Sequence, residues 1–130
     1  MTAEFTAKQV RHIFFEREGQ ACFNCRRQLA WTLRGSMLPG GWSLHHLQGR
    51  GMGGTRRVMT HADGICICGT GVTGCHGWVE SHRDEAYDRG LLIRRNGIRP
   101  HEVRVKDMYG QWWLLTEGGR AIEVEEGNEQ

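Results

Sequence analysis

SLHHLQGRGMGG, residues 43–54, is the stretch whose reading decides the fold. His45 and His46 stand at the end of a β-prone run, Trp42 to Leu47, and directly before a glycine loop that cannot be regular structure. Neighbours on a strand point to opposite faces, so the two imidazoles would not chelate one ion side by side. Two different roles are easier, one a metal ligand and the other a base, since imidazole serves both and titrates near neutrality. Downstream lie ADGICICG (62–69), a short β-prone run headed by Asp63, and TGCHGWVESH (73–82), which opens a helical stretch from Cys75 to Arg89. Within that stretch His76 and Glu80 share a helix face, whereas His82 points elsewhere unless the helix begins late. His76 is therefore the better third group, with Glu80 or His82 as helpers.

The cysteines flank this unit. Cys22-x2-Cys25 and Cys68-x6-Cys75 are two knuckles with 42 residues between them. Two thiolates on each of two tight turns make the closed four-sulfur site typical of structural zinc. Its binding energy is partly folding energy, and it would clip the N-terminal segment to the central helix. Cys66 and Cys68 point the same way along a strand, so periodicity does not choose between them. Cys68, beside the glycine-rich turn, is the better ligand, and Cys66 reads as a small core residue. Gly69, Gly71 and Gly74 make the longer second spacing pliable.

Further out, Thr6 and Gln9 form a capping box for an N-terminal helix, Phe5 staples onto Val10, and Gly19 stops it. Leu29 to Leu33 reads as a further short strand before the turn at Pro39-Gly40-Gly41. The C-terminal part reads as β structure: Leu91 to Arg95, then Val103 to Lys106 and Gln111 to Thr116 around a hairpin turn at 107–110. Trp112 and Trp113, adjacent on that hairpin, would face opposite sides. His12 and His101 read as surface residues. Residues 119–130 are acidic and are expected to fray.

A chain of 130 residues is one small domain, expected over 1–118. Only 38% of it is hydrophobic and 19 residues are glycine, so its core gains from a metal staple. No apolar run is long enough to span a membrane, and MTAEFTAKQV has neither the basic nor the apolar region of a secretory signal. The expected compartment is therefore the reducing cytoplasm, where clustered cysteines favour metal over disulfides. Lys and Arg total 17 against 15 Asp and Glu, but five of the acids lie at or beyond Glu117. Between Glu18 and Asp63 there are six arginines and no acid. Such a stretch suits a polyanion, and Arg50, Arg56 and Arg57, on the loop beside His46, are the candidate DNA contacts.

Taken together, SLHHLQGRGMGG, ADGICICG and TGCHGWVESH resemble the HNH endonucleases, in the zinc-stapled form found in phages. The resemblance covers about residues 22–90, with a β tail over 91–118. It implies an α+β fold: a small ββα-metal core with a four-Cys zinc site, an N-terminal helix and a C-terminal β-hairpin. In it His46 resembles the general base, and His45 and His76 the ligands of a catalytic divalent cation such as Mg2+, Mn2+ or another transition metal. Asp63 stands where the family has its central Asn, which pins the loop and orients the base. Glu80 stands where some members have a second helical His. The implied activity is hydrolysis of DNA phosphodiester bonds, by nicking or double-strand cleavage, to 5′-phosphate and 3′-hydroxyl ends. The implied setting is the bacterial host cytoplasm, in support of phage genome packaging with terminase and portal proteins. The alternative is a non-catalytic zinc-ribbon module that binds nucleic acid with the same Cys and Arg residues. A bare ribbon, however, needs neither His45-His46 nor His76.

Overall fold

The computed structural model describes residues 4–49, 58–94 and 97–128. The fold is a small mixed α+β arrangement with short helices and two antiparallel sheets. The chain opens with α1 (Ala7–Arg11). Thr6 accepts from Gln9 N, and Gln9 returns a bond to Thr6 N, so the expected capping box is present. From His12 to Arg17 the helix widens into π turns, closing with Glu18 N to Ile13 O at 2.9 Å. This widening keeps Val10, Ile13 and Phe14 in the core.

β1 (Trp42–His46) pairs antiparallel with β2 (Gly64–Cys68), with His45 opposite Ile65 and His46 opposite Gly64. All five β2 residues are buried. Its second edge is covered by an unusual device: the adjacent side chains of Arg17 and Glu18 form a 2.6 Å ion pair, each almost wholly buried. Arg17 donates to the carbonyls of His61 and Gly64, while Glu18 accepts from Cys66 N. Edge groups that would otherwise be unpaired are thereby satisfied.

After β2 come α2 (Gly74–Ser81) and α3 (Arg83–Asp88). The single helix expected over 75–89 is broken at His82, whose backbone leaves the helical region. Asp84 and Glu85 then occupy the first turn of α3, where the helix dipole favours acids. Ile93 returns beside the end of β1, its amide bonding Leu47 O at 2.8 Å.

β3 (Arg104–Lys106), β4 (Trp112–Leu115) and β5 (Ala121–Val124) form the second sheet in that order. Two sequence expectations fail here and one fails earlier. Residues 121–124 do not fray: Ala121 pairs with Leu115 and Val124 with Trp112, because the Gly118-Gly119 turn reverses the chain. The expected hairpin is thus three strands. Of the run Leu91 to Arg95, the described residues 91–94 give only an isolated bridge at Ile93, and Arg95 lies outside the described residues. Leu29 to Leu33 is not a strand, since Trp31–Leu33 is a 3-10 turn that stacks Trp31 on Trp42, with ring centroids 5.6 Å apart. Phe14 packs on both indoles and joins them to the core. No helix among the described residues is long and apolar enough to cross a membrane.

Candidate functional site

The four expected zinc ligands come together. One sulfur from each of Cys22, Cys25, Cys68 and Cys75 lies within 4.8 Å of the others. Cys25 Sγ and Cys68 Sγ are 3.8 Å apart. A tetrahedron with Zn–S bonds of about 2.3 Å has edges of about 3.8 Å, so this donor set fits zinc. N–H donors also converge on the sulfurs. Cys22 Sγ accepts from Cys25 N and Cys68 N, Cys68 Sγ from Cys75 N, and Cys75 Sγ from Asn24 Nδ2 at 3.3 Å. Such bonds stabilise thiolates rather than thiols. Hydrogen bonds from Cys22, then Cys75, hold the Cys68 thiol down, and the bonds to Cys68 and Cys75 push Cys22 up, so the four sulfurs share their protons as one group. Cys66 is fully buried outside the group, and burial pushes its thiol up. Cys68 rather than Cys66 is therefore the third sulfur.

Two glycines build the second knuckle. Gly69 and Gly74 both have positive φ, and a Cβ on Gly74 would stand 2.7 Å from Cys68 O. The chain thus folds back so that α2 starts against the end of β2, and Cys75 meets Cys68.

On α2 the residue after Cys75 is His76. It joins His45 and Glu80 in a second group, again with one ligand atom each within 4.8 Å. Outer hydrogen bonds fix both imidazoles. His45 Nε2 lies 2.7 Å from Leu91 O, and a carbonyl can only accept, so Nε2 carries the proton and Nδ1 keeps its lone pair. Ser43 Oγ donates to Gly69 O, so towards His76 Nδ1, at 3.0 Å, it accepts. His76 Nδ1 is then protonated, and Nε2, 3.9 Å from Glu80 Oε2, keeps its lone pair. Burial pulls His45 down to about 4 and also lowers His76. Two neutral, oriented imidazoles and a carboxylate are a donor set for a divalent cation.

His46 points away from His45, as strand alternation requires, and its ring lies 5.0 Å from Phe5. With His45, His76 and Glu80 it lines an open cleft of about 530 Å³. Asp63 is buried, and its carboxylate accepts from Thr60 N and Thr60 Oγ1 at 2.7 and 3.0 Å. Its carbonyl takes the Leu47 amide, so Asp63 ties the far end of the 49–58 connection to the end of β1. His82 is not in this candidate group: it is exposed, and its ring stacks on Trp78 at 4.9 Å. His12 is half-buried rather than a surface residue, with Nε2 bonded to Gly119 O. Arg50, Arg56 and Arg57 lie outside the described residues.

Sequence reasoning missed Arg83, Tyr87 and Arg94, which complete the cleft wall. Only the return of Ile93 to Leu47 brings Arg94 there, and no local pattern announces that pairing. Compared with protein-family models, curated proteins and solved structures, the chain matches none.

Proposed function

We propose that the protein is a zinc-stapled, metal-dependent endonuclease of the HNH kind that hydrolyses DNA phosphodiester bonds. One observation carries the reading: His45, His76 and Glu80 converge, with both imidazole lone pairs directed by Leu91 and Ser43, in a cleft shared with His46. The strand–strand–helix order of β1, β2 and α2 supports the ββα-metal class.

In this reading His45, His76 and Glu80 would hold a divalent cation, which would supply positive charge to offset charge developing on phosphate. His46, on the other face of β1, takes a proton from the attacking water at a ring nitrogen. Asp63 positions His46 by anchoring the chain on both sides of the connecting loop. Arg50, Arg56 and Arg57 remain proposed phosphate contacts, and service to phage genome packaging with terminase and portal proteins remains the proposed setting.

The test is supercoiled-plasmid cleavage by protein that keeps its zinc, with Mg2+, Mn2+, Ni2+ or Zn2+ added, beside a folded His46→Ala variant. Nicking by wild type alone is expected. If no cation gives nicking by folded, zinc-loaded wild type, the chain is instead a non-catalytic zinc module.

A further inference from the structure

We infer that Arg94, seconded by Arg83, is the phosphate-gripping wall of this cleft, and that its ligand is the sugar-phosphate backbone of DNA. The inference deepens the endonuclease reading and rests on it. Both guanidiniums are gathered on one aromatic ring: Arg94 Cζ lies 4.1 Å from the Tyr87 ring centroid and Arg83 Cζ 5.8 Å. Tyr87 thus gathers two positive charges at one edge of the cleft. Arg83 is compensated, since its guanidinium donates to Glu80 Oε1 at 2.9 Å and to Tyr87 Oη. Arg94 is not. Among the described residues its guanidinium has no acceptor and no acidic partner, and its only contact of this kind is the ring. A guanidinium over a ring face keeps its N–H donors for an outside acceptor, and its planar fork suits phosphate oxygens.

The placement gives this surplus charge a direction. Arg94 directly follows Ile93, which is bonded to Leu47, one residue after His46. Gln48 Nε2 also grips Arg94 O at 2.9 Å, so the backbone at Arg94 is anchored from the β1 side. Arg83 comes from α3, through Glu80 of the ion-binding group. The two arginines thus approach the cleft from different elements, beside His45, His76 and His46. An anion bridging them would lie next to the candidate catalytic groups. It would also supply the acceptor that Arg94 lacks among the described residues.

The test is fluorescence anisotropy with two short DNA duplexes of unrelated sequence. Zinc-loaded wild type, Arg94→Gln, Arg94→Lys and Arg83→Gln are titrated over a range of salt, with no divalent cation added. Each lost phosphate contact should flatten the slope of log K against log salt by about 0.9. Arg94→Gln is expected to show that change and to weaken both duplexes by the same factor, on the order of tenfold at low salt. Arg94→Lys should retain the wild-type slope, and Arg83→Gln should lose the same increment. Melting temperatures should not move, because both side chains are exposed. An unchanged slope in Arg94→Gln, from a wild type that binds and nicks DNA, overturns the inference and leaves the endonuclease reading standing. A wild type that neither binds nor nicks removes both.

Discussion

Ser43 is the residue that orients the candidate ion-binding group of His45, His76 and Glu80 without belonging to it. Its hydroxyl spends its proton on Gly69 O and so meets His76 Nδ1 only as an acceptor. Removing it frees the His76 ring and its tautomer. Losses of this outer kind weaken metal binding about 10- to 100-fold. Ser43→Ala should therefore raise the divalent-cation concentration needed for half-maximal nicking by that factor, while zinc content stays the same. An unchanged cation requirement would show that Ser43 does not orient His76. At this scale the sequence was legible where chemistry is local: alternation separated His45 from His46, and the glycine turn pointed to Cys68 over Cys66. It was illegible where partners come from afar. No local pattern marks Arg17-Glu18, yet the pair is buried against an edge of β2 that, among the described residues, no other strand covers. Nothing near Arg94 in the sequence points to the cleft, to which the bridge at Ile93 brings it.

Among elements, the turn between β3 and β4 does more than reverse the chain. Met108 N donates to Asn24 O and Tyr109 Oη to Cys25 O, so the turn docks the second sheet onto the Cys22–Cys25 knuckle. Asp107 holds it together: its buried carboxylate accepts from Tyr109 N, Gln111 N, Trp113 Nε1 and Arg26, the last at 2.6 Å. Burial alone would raise its pKa, but the hydrogen bonds from Trp113, Gln111, Tyr109 and Arg26 outweigh it and hold the carboxyl below the usual 3.8. Between that lowered value and 3.8 the unfolded chain binds more protons than the folded one. This contribution is therefore full above 3.8 and is lost as pH falls through the folded value. Asp107→Asn should cost about 2 kcal/mol at neutral pH, from weakened bonds to buried donors. The gap to wild type should narrow at a pH below 3.8, as wild type falls towards its own lowered value and loses the same charge. Urea denaturation at both pH values measures the gap, and a constant gap would mean that Asp107 stabilises only as a neutral acceptor. The turn itself was readable from its residues and the flanking alternation. β5 was not, because acidic composition at a chain end resembles a solvated tail. Its strand character comes from pairing with β4, a tertiary effect that composition does not carry. The stretch 29–33 misleads for the opposite reason: its apolar residues serve a stack of aromatic rings, which needs a tight turn rather than an extended chain.

For the molecule as a whole, the four-sulfur site is the point through which its parts communicate. Cys22 and Cys25 follow the N-terminal helix, Cys68 ends β2, and Cys75 sits in the first turn of α2. The second sheet docks on the same knuckle through Met108 and Tyr109. A zinc ion bound by four such thiolates contributes about 10–16 kcal/mol at neutral pH. That is as large as the whole net stability of a typical domain, about 5–15 kcal/mol. Losing the ion should therefore do more than loosen one loop. Free of zinc, the buried sulfurs regain protons and lose their common centre, α2 loses its anchor at Cys75, and His76 no longer holds its place opposite His45. Stripping zinc with a strong chelator should abolish the cooperative thermal transition and plasmid nicking together. Excess Mg2+ or Mn2+ should restore neither, since hard cations prefer oxygen ligands to thiolate. Stoichiometric zinc should restore the transition, and nicking should return once the cation for His45, His76 and Glu80 is also supplied. A stripped chain that kept its melting transition would show the sulfur site to be dispensable to the fold. A chain that regained its transition with zinc but never its nicking, whatever cation followed, would separate the staple from the proposed chemistry.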